Sequence, residues 1–458
     1  MNARGEARSP SGLTYQSVLD ADPRTAPTAL RTVSAPWTPG PDISVDRYTS
    51  REFAQLEADR LWKVSWQMAC RAEHLGAVGD HLLYEVGDLS LIVVRSGPDT
   101  IKAFHNSCLH RGTTLIEGRG HSALFKCPFH GFAWSIDGTF RGMPAAWDFP
   151  HVEAGSMQLP EVAVAQWQGF VFVHPGPSPE PFEQFAAPLS EHFAQHPLDG
   201  RFVAHHACQV VNANWKVVME AFLEGYHLST THPHTIRFAN DFETQYDLFG
   251  PNVSRLMQAI GVPTSALLGR VPATEIAQTI QKLLPAADRH EVPEGVDVRA
   301  FLGEVFRDSY AKRWRVDLAD ASEAELLDSI QYFLFPNFVP WMGYSLPITY
   351  RFRPWGEDPG QSLMEIMLLH PVPADGEFET AAEHWLAPGE SWTHAPGFES
   401  LGMVINQDID NLARVQKGLR AATQRSVVLA DYQESRIRHF HTRLNHQLGL
   451  HAPNPSND

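Results

Sequence analysis

Cysteine is scarce in this chain, with four in 458 residues, at positions 70, 108, 127 and 208. Four scattered thiols lay out no disulfide framework, and the compartment expected is a reducing one, the cytoplasm. Positive charge is short as well: 36 Lys and Arg stand against 53 Asp and Glu, a formal net charge of −17. That balance excludes nucleic acid or an anionic membrane surface as a main partner. No apolar run reaches the roughly 18 residues that a membrane-spanning helix requires. The first residues are polar and rich in Pro and Ser, without the apolar core of a signal peptide. Also missing are a Gly-x-Gly-x-x-Gly after a strand pattern and the plant-type ferredoxin cysteine spacing, so no dinucleotide site is expected here.

A chain of this length holds two or three domains with ample core. Residues 1–42 read as an N-terminal arm, from their Pro, Ser, Thr and Ala content. A short helix is expected after Ser50, docked by Phe53, Leu56 and Trp62. Strand patterns follow at His81–Val86, Leu89–Val94 and Ile101–His105, separated by Gly and Asp turns. These define a small all-β domain over 43–160. The remainder, 161–458, mixes strands (Gly169–His174, Gln331–Leu334, Thr349–Phe352, Leu363–Leu369) with helices at Asn214–Tyr226, Ala273–Leu284, Ala413–Leu419 and Tyr432–Leu448. The fold expected is α+β: a small all-β domain inserted in a larger domain whose twisted antiparallel sheet is flanked by helices.

Two short stretches carry most of the chemistry. Cys108-Leu109-His110 and Cys127-Pro128-Phe129-His130 form a C-x-H and a C-x-x-H pair with sixteen residues (111–126) between them. Each lies in a turn-rich setting, with Gly112 after the first and Gly131 after the second. Two thiolates and two imidazoles suit a [2Fe–2S] cluster with sulfur on one iron and nitrogen on the other. Neutral imidazoles raise the potential of such a cluster and make it a relay for single electrons. A Cys2His2 zinc site is the rival, but zinc sites usually pair Cys with Cys and His with His, and here each loop offers one of each. The string from His105-Asn106-Ser107-Cys108 through Cys127-Pro128-Phe129-His130-Gly131-Phe132-Ala133-Trp134 resembles the Rieske domain of ring-hydroxylating oxygenase α subunits. Cys70 and Cys208, in apolar stretches, read as buried small residues.

A relay cluster does no chemistry on a substrate, so a second site is sought in the larger domain. The helix from Asn214 carries an apolar stripe (Trp215, Val218, Met219, Phe222, Tyr226) and a polar one (Lys216, Glu220, Glu224, His227), with His232 beside Pro233. Two histidines about a helix end can share one metal, although an acidic helix stripe is ordinarily a solvated face and the chain has 23 histidines. Asn214-Trp215-Lys216, then Glu220, Glu224-Gly225-Tyr226-His227 and His232 resembles the iron-binding helix of the same oxygenase family. The resemblance implies a 2-His-1-carboxylate triad for non-heme Fe(II) with open positions for O₂. Its third ligand is implied by Gln407-Asp408-Ile409-Asp410-Asn411, followed by Gln416-Lys417-Gly418. The ligand carboxylate lies three residues before Asn411, which is Asp408; Asp410 is the second choice, with a helix N-terminal charge as its other role.

Two departures stand out. Most members of the family carry Asp three residues before the first ligand histidine, bridging this iron to the cluster of a neighbouring subunit. Here that position is Glu224, one methylene longer. Ala221 stands where many ring dioxygenases carry an amide near the iron.

Taken together, the resemblance implies the catalytic α subunit of a Rieske non-heme iron oxygenase. It implies electrons from an external ferredoxin or flavin reductase, with NAD(P)H used through that partner. They pass from the cluster to the iron, between subunits, through Glu224. It implies a trimer, α3 or α3β3, in which neighbouring subunits meet head to tail. The expected reaction is hydroxylation, foremost cis-dihydroxylation, of an aromatic or polycyclic substrate in hydrocarbon catabolism, with Phe222, Leu228 and the segment Phe335–Trp341 as pocket walls. Monooxygenation and oxidative N- or O-demethylation are the alternatives. Two other classes stay open, a pure electron carrier and a zinc hydrolase using His227 and His232.

Overall fold

The computed structural model describes residue 9, residues 11–34, residue 40 and residues 42–450. Two compact units emerge, Gln55–Phe185 and a larger unit made of the chain up to Ala54 together with Ala186 onward. A small unit inserted in a larger α+β one is the architecture expected, but its boundaries differ from 43–160 and 161–458. Strands Glu161–Trp167 and Phe170–His174 complete the small unit's sheet. Glu161 pairs with Phe104, and Phe170 with Arg71, so the backbone hydrogen bonds of 161–174 are satisfied there.

The expected arm also belongs to the larger unit, as far as its residues are described. Tyr15–Ala21 is a helix whose Tyr15, Val18 and Leu19 are buried, and the Tyr15 hydroxyl donates to Asp328 at 2.9 Å. Residues 1–8, 10, 35–39 and 41 of that arm lie outside the described residues.

The small unit has a seven-stranded sheet and a three-stranded one (Leu124–Lys126, Ala133–Ser135, Phe140–Gly142). Ile92, Val94, Phe104, Leu115, Phe125, Phe132 and Trp134 fill a core that includes both Cys108 and Cys127. The larger unit is built on an eight-stranded sheet in the order 245–249, 253–258, 329–334, 338–342, 348–354, 362–371, 201–211, 383–386. Neighbours are antiparallel except the last pair. Most of its strands are buried along their length, and their polar side chains, such as Asp247, Arg255, Arg351 and Glu365, are paired with one another inside.

The helix Trp215–Ala221 packs on strands 348–354 and 362–371 and against the late helix Leu401–Ala421. It is capped at Asn214, whose side chain accepts from Lys216 N at 3.0 Å. It ends at Ala221, five residues before the expected Tyr226, and Tyr226 is 50% exposed rather than part of a packed stripe. The cause is Gly225. Its N–H donates to the Tyr246 hydroxyl at 2.9 Å, and a Cβ there would stand 3.2 Å from Gln258 Nε2. A chain held this tightly to a neighbouring strand leaves the helical path. The polar stripe is not solvated either. Lys216 is fully buried with its ammonium over the rings of Trp215 and Phe53, at 5.0 and 5.3 Å. Glu220 accepts from Tyr48 Oη at 3.0 Å and lies 2.8 Å from His441 Nε2. The late helix runs from Leu401 to Ala421, longer than the expected 413–419, and buries Gly402, Ile405, Asp408, Leu412 and Gln416 on one face.

Candidate metal centres

The two cysteine–histidine loops are built alike. Cys108 N donates to Thr113 O and Gly112 N to Cys108 O, both at 2.8 Å; Cys127 N donates to Phe132 O at 2.8 Å and Gly131 N to Cys127 O at 3.0 Å. Both loops need glycine four residues after the cysteine, because Gly112 and Gly131 have φ of +82° and +74°. Asn106 locks the first loop: its side chain accepts from Leu115 N and Ile116 N and donates to Ile116 O. Cys108 and Cys127 are buried free thiols. The imidazoles of His110 and His130 lie 4.7 Å apart, and both Nδ1 atoms are buried without a hydrogen-bond partner. A buried polar atom left unpaired costs roughly 1–3 kcal/mol. Two such nitrogens on the same two loops as two buried thiols fit a [2Fe–2S] group with mixed ligands, one Cys and one His from each loop, as one cluster between two loops requires.

The second centre has the opposite wiring. The ligand atoms of His227, His232 and Asp408 all lie within 4.8 Å of one another. Asp408 Oδ1 is 2.9 Å from His232 Nε2 and 3.6 Å from His227 Nε2. The outer nitrogens are both taken: His227 Nδ1–H donates to Glu224 Oε1 and His232 Nδ1–H to Gln407 Oε1, each at 2.7 Å. That fixes Nε2 of each ring as the free lone pair, the usual second-layer arrangement around a histidine-bound metal. Glu224 grips His227 twice, since its Oε2 also accepts the His227 backbone N–H at 3.1 Å. Burial pushes the His227 imidazolium down, but the hydrogen bond and charge of Glu224 and then the charge of Asp408 outweigh it, and its pKa is raised. Asp410 is exposed on the other face of the helix. The donor set, two imidazoles and one carboxylate, fits a ferrous ion.

Of the expected pocket walls, Phe222 is half-buried and sits on Tyr350 and Phe352, with ring centroids 5.0 and 5.6 Å away, and Leu228 is also half-buried. Trp341 meets Tyr350 edge-on at 6.2 Å. Burial first, then the charge of the Asp408 carboxylate, push the Tyr350 phenol far up. The segment 335–341 is split, because Phe335 packs on Phe440 instead. Gln407 and Tyr350 went unread in the sequence. Gln407 stood next to a candidate ligand, whereas Tyr350 lies in a strand with no local mark.

A third group, His206, Cys208 and Glu365, also brings its ligand atoms within 4.8 Å. Here Arg351 Nε lies 2.7 Å and Arg353 Nη2 3.1 Å from Glu365 Oε2. Two guanidinium groups on the one carboxylate neutralise it and repel a cation, so this is a buried ion-pair cluster in the sheet. Burial pushes the Cys208 thiol far up, in keeping with a buried small residue.

Residues 191–450, more than half of the chain, match the family described as ring hydroxylating alpha subunit (catalytic domain), and residues 65–153 match the Rieske [2Fe-2S] domain. The chain belongs to the ring-hydroxylating oxygenase α-subunit family, oxidoreductases that combine a Rieske cluster with a mononuclear non-heme iron. Among its relatives is the glycine betaine monooxygenase oxygenase subunit of Chromohalobacter salexigens, 34% identical over 200 residues, covering 43% of this chain and 44% of that protein. Another is the anthranilate 1,2-dioxygenase large subunit of Acinetobacter baylyi, 28% identical over 198 residues and 42% of each chain. The chain thus spans about half the length of the curated relatives it matches. In fold it is similar to a quaternary ammonium Rieske monooxygenase, with a TM-score of 0.62 at 15% identity over 93% of this chain and 100% of that one. Among the described residues no helix is long and apolar enough to cross a membrane.

Proposed function

We propose that Cys108, His110, Cys127 and His130 hold the [2Fe–2S] cluster, that His227, His232 and Asp408 hold Fe(II), and that the chain is an oxygenase of small organic molecules. The observation that carries this reading is the convergence of two Nε2 lone pairs on Asp408, each ring fixed from behind by Glu224 or Gln407. A pure electron carrier has no use for such a centre. The buried thiols and orphaned Nδ1 atoms of the other loops speak against a zinc hydrolase.

When bound, the cluster supplies single electrons and the ferrous iron supplies the place where O₂ is activated. Glu224 keeps the proton of His227 on Nδ1, and Gln407 does the same for His232, so both rings present a neutral Nε2. Asp408 would add one negative charge to the two imidazoles that hold the iron. Glu224 retains acceptor capacity beyond its two bonds to His227, which suits it to bridge toward a cluster histidine of a neighbouring subunit. The electron donor is a ferredoxin or flavin reductase drawing on NAD(P)H, and the assembly is a trimer, of α alone or with a small β subunit.

Monooxygenation, including oxidative removal of an N- or O-methyl group, is the reaction proposed ahead of arene cis-dihydroxylation. Its support is the identity with a glycine betaine monooxygenase subunit. Half-buried Phe222 and Trp341, which pack on the interior rings of Tyr350 and Phe352, are aromatic side chains of the kind that attract an ammonium head as well as an aromatic ring. The second reading, ring dihydroxylation, draws on the anthranilate dioxygenase relative. A single turnover of reduced, iron-replete protein with labelled O₂ and a panel of betaines, N- and O-methylated compounds and arenes separates them by mass spectrometry. One labelled oxygen in the product, or release of formaldehyde, supports monooxygenation, and two labelled oxygens in one product overturn it. Iron analysis of the same sample should give about three irons per chain; about two would leave only the cluster.

A further inference from the structure

We infer that Phe132 sets the reduction potential of the cluster by covering one face of the imidazole of His110 with carbon, and that it does so as a positioning residue linking the two cluster loops. The inference rests on the reading of His110 as a cluster ligand. The ring of Phe132 lies flat on that of His110, with centroids 4.6 Å apart and an interplanar angle of 6°. Phe132 belongs to the other loop, where its own carbonyl accepts the Cys127 N–H at 2.8 Å. One residue thus closes the loop of Cys127 with its backbone and covers the histidine of the Cys108 loop with its side chain.

Phe132 is itself held in place. It is 2% exposed and packs on Trp134, Phe140 and Phe149, with centroids 6.4, 6.1 and 5.7 Å away. Phe149 also meets His110 edge-on at 5.9 Å. The other histidine is covered differently. Phe129 lies 3.8 Å from the His130 ring but is 57% exposed, with Arg111 over it at 5.3 Å. One imidazole is therefore under a locked interior ring and its partner under a surface ring.

Reduction adds one electron, and so one negative charge, to the cluster. A dry aromatic face offers no dipoles to solvate that charge, whereas water does. Phe132 therefore holds the potential below the value a wetter site would give. Its stacking also holds the His110 ring at a fixed tilt.

The test uses holoprotein with its cluster, titrated with dithionite and read by visible spectroscopy and electron paramagnetic resonance. Phe132→Leu is expected to keep iron and sulfide, shift the midpoint potential upward and alter the g-value spread. Phe132→Tyr, which keeps the stacked ring, should stay close to the parent protein, and Phe129→Leu should move the potential less than Phe132→Leu. Should Phe132→Leu lose its cluster, Phe132→Met, which fills the space without a ring, replaces it in the same comparison. An unshifted midpoint in a ring-less variant with full cluster content overturns the inference, as does an equal or larger shift in Phe129→Leu. A parent protein lacking the Rieske resonance altogether overturns the ligand reading on which it stands.

Discussion

The two centres treat their histidines in opposite ways. At the cluster loops each imidazole keeps a buried, unpartnered Nδ1 and is covered by aromatic carbon; at the triad each Nδ1 is hydrogen-bonded by a carboxylate or amide and each Nε2 is turned toward Asp408. The difference follows from the work each does. A site that stores an electron gains from rigid carbon around its histidines, which is interior at His110 and at the surface at His130. A site that must bind a hard cation and keep positions open needs charge and oriented acceptors behind its ligands. The same residue type is thus tuned by what lies on its far side.

The contrast is broken most severely by removing a first partner from either side. Asp408→Ala should abolish turnover and lose mononuclear iron while the cluster's visible spectrum stays, as checked by metal analysis on the same sample. Full activity would remove Asp408 from the triad. His110→Ala is the mirror experiment: the cluster spectrum should bleach, and an unchanged spectrum rejects that ligand.

Removing an outer partner sharpens the comparison. Glu224→Gln should keep both metals but slow transfer from pre-reduced cluster to iron by roughly 10–100-fold, the range for loss of an outer-layer partner, measured by stopped-flow reoxidation. A normal rate would leave Glu224 with only its grip on His227. Gln407→Ala should weaken iron binding by a similar factor, roughly 10–100-fold, in a chelator competition, and no change would make the amide dispensable.

The smallest effect concerns the half-buried Glu220, on the helix that ends just before the triad's first histidine. Burial pushes the Glu220 carboxyl up to about 8, with the Tyr48 hydrogen bond and the charges of Lys216 and Arg47 opposing. A raised carboxyl pKa means the folded state prefers the protonated form, so its contribution to stability is full below the ordinary carboxylate range and is lost as pH rises through about 8. Glu220→Gln imitates that form. Its thermal midpoint should fall less than the parent's between pH 5 and 8, and parallel curves would show that Glu220 is ionised in the fold.

The cluster loops were legible because their chemistry is local. Cysteine, histidine and glycine at fixed spacing specify both the candidate ligands and the turns that present them. The triad was legible only in part. His227 and His232 carry a local pattern, while Asp408 needed the family's late segment, since nothing near it in sequence says which of two acids faces inward. The burial stripe of the late helix decides that in space, with Asp408 inside and Asp410 exposed. The early end of the helix after Ala221 was hidden because its cause, the approach of Gly225 to Tyr246 and Gln258, is a tertiary contact. The strands 161–167 and 170–174 were misassigned for the same reason, as pairing partners are not written in a strand's own residues.

The insertion of one unit in the other has a consequence for how the protein is made. The cluster-binding unit is one continuous stretch, Gln55–Phe185, whereas the larger unit joins residues up to Ala54 with those from Ala186 onward. On a ribosome the first can close as soon as it emerges, while His232 waits through 176 further positions for Asp408. Iron–sulfur assembly can therefore be finished on a nascent chain that has as yet no place for the lone iron, and the site able to react with oxygen is the last to come into being.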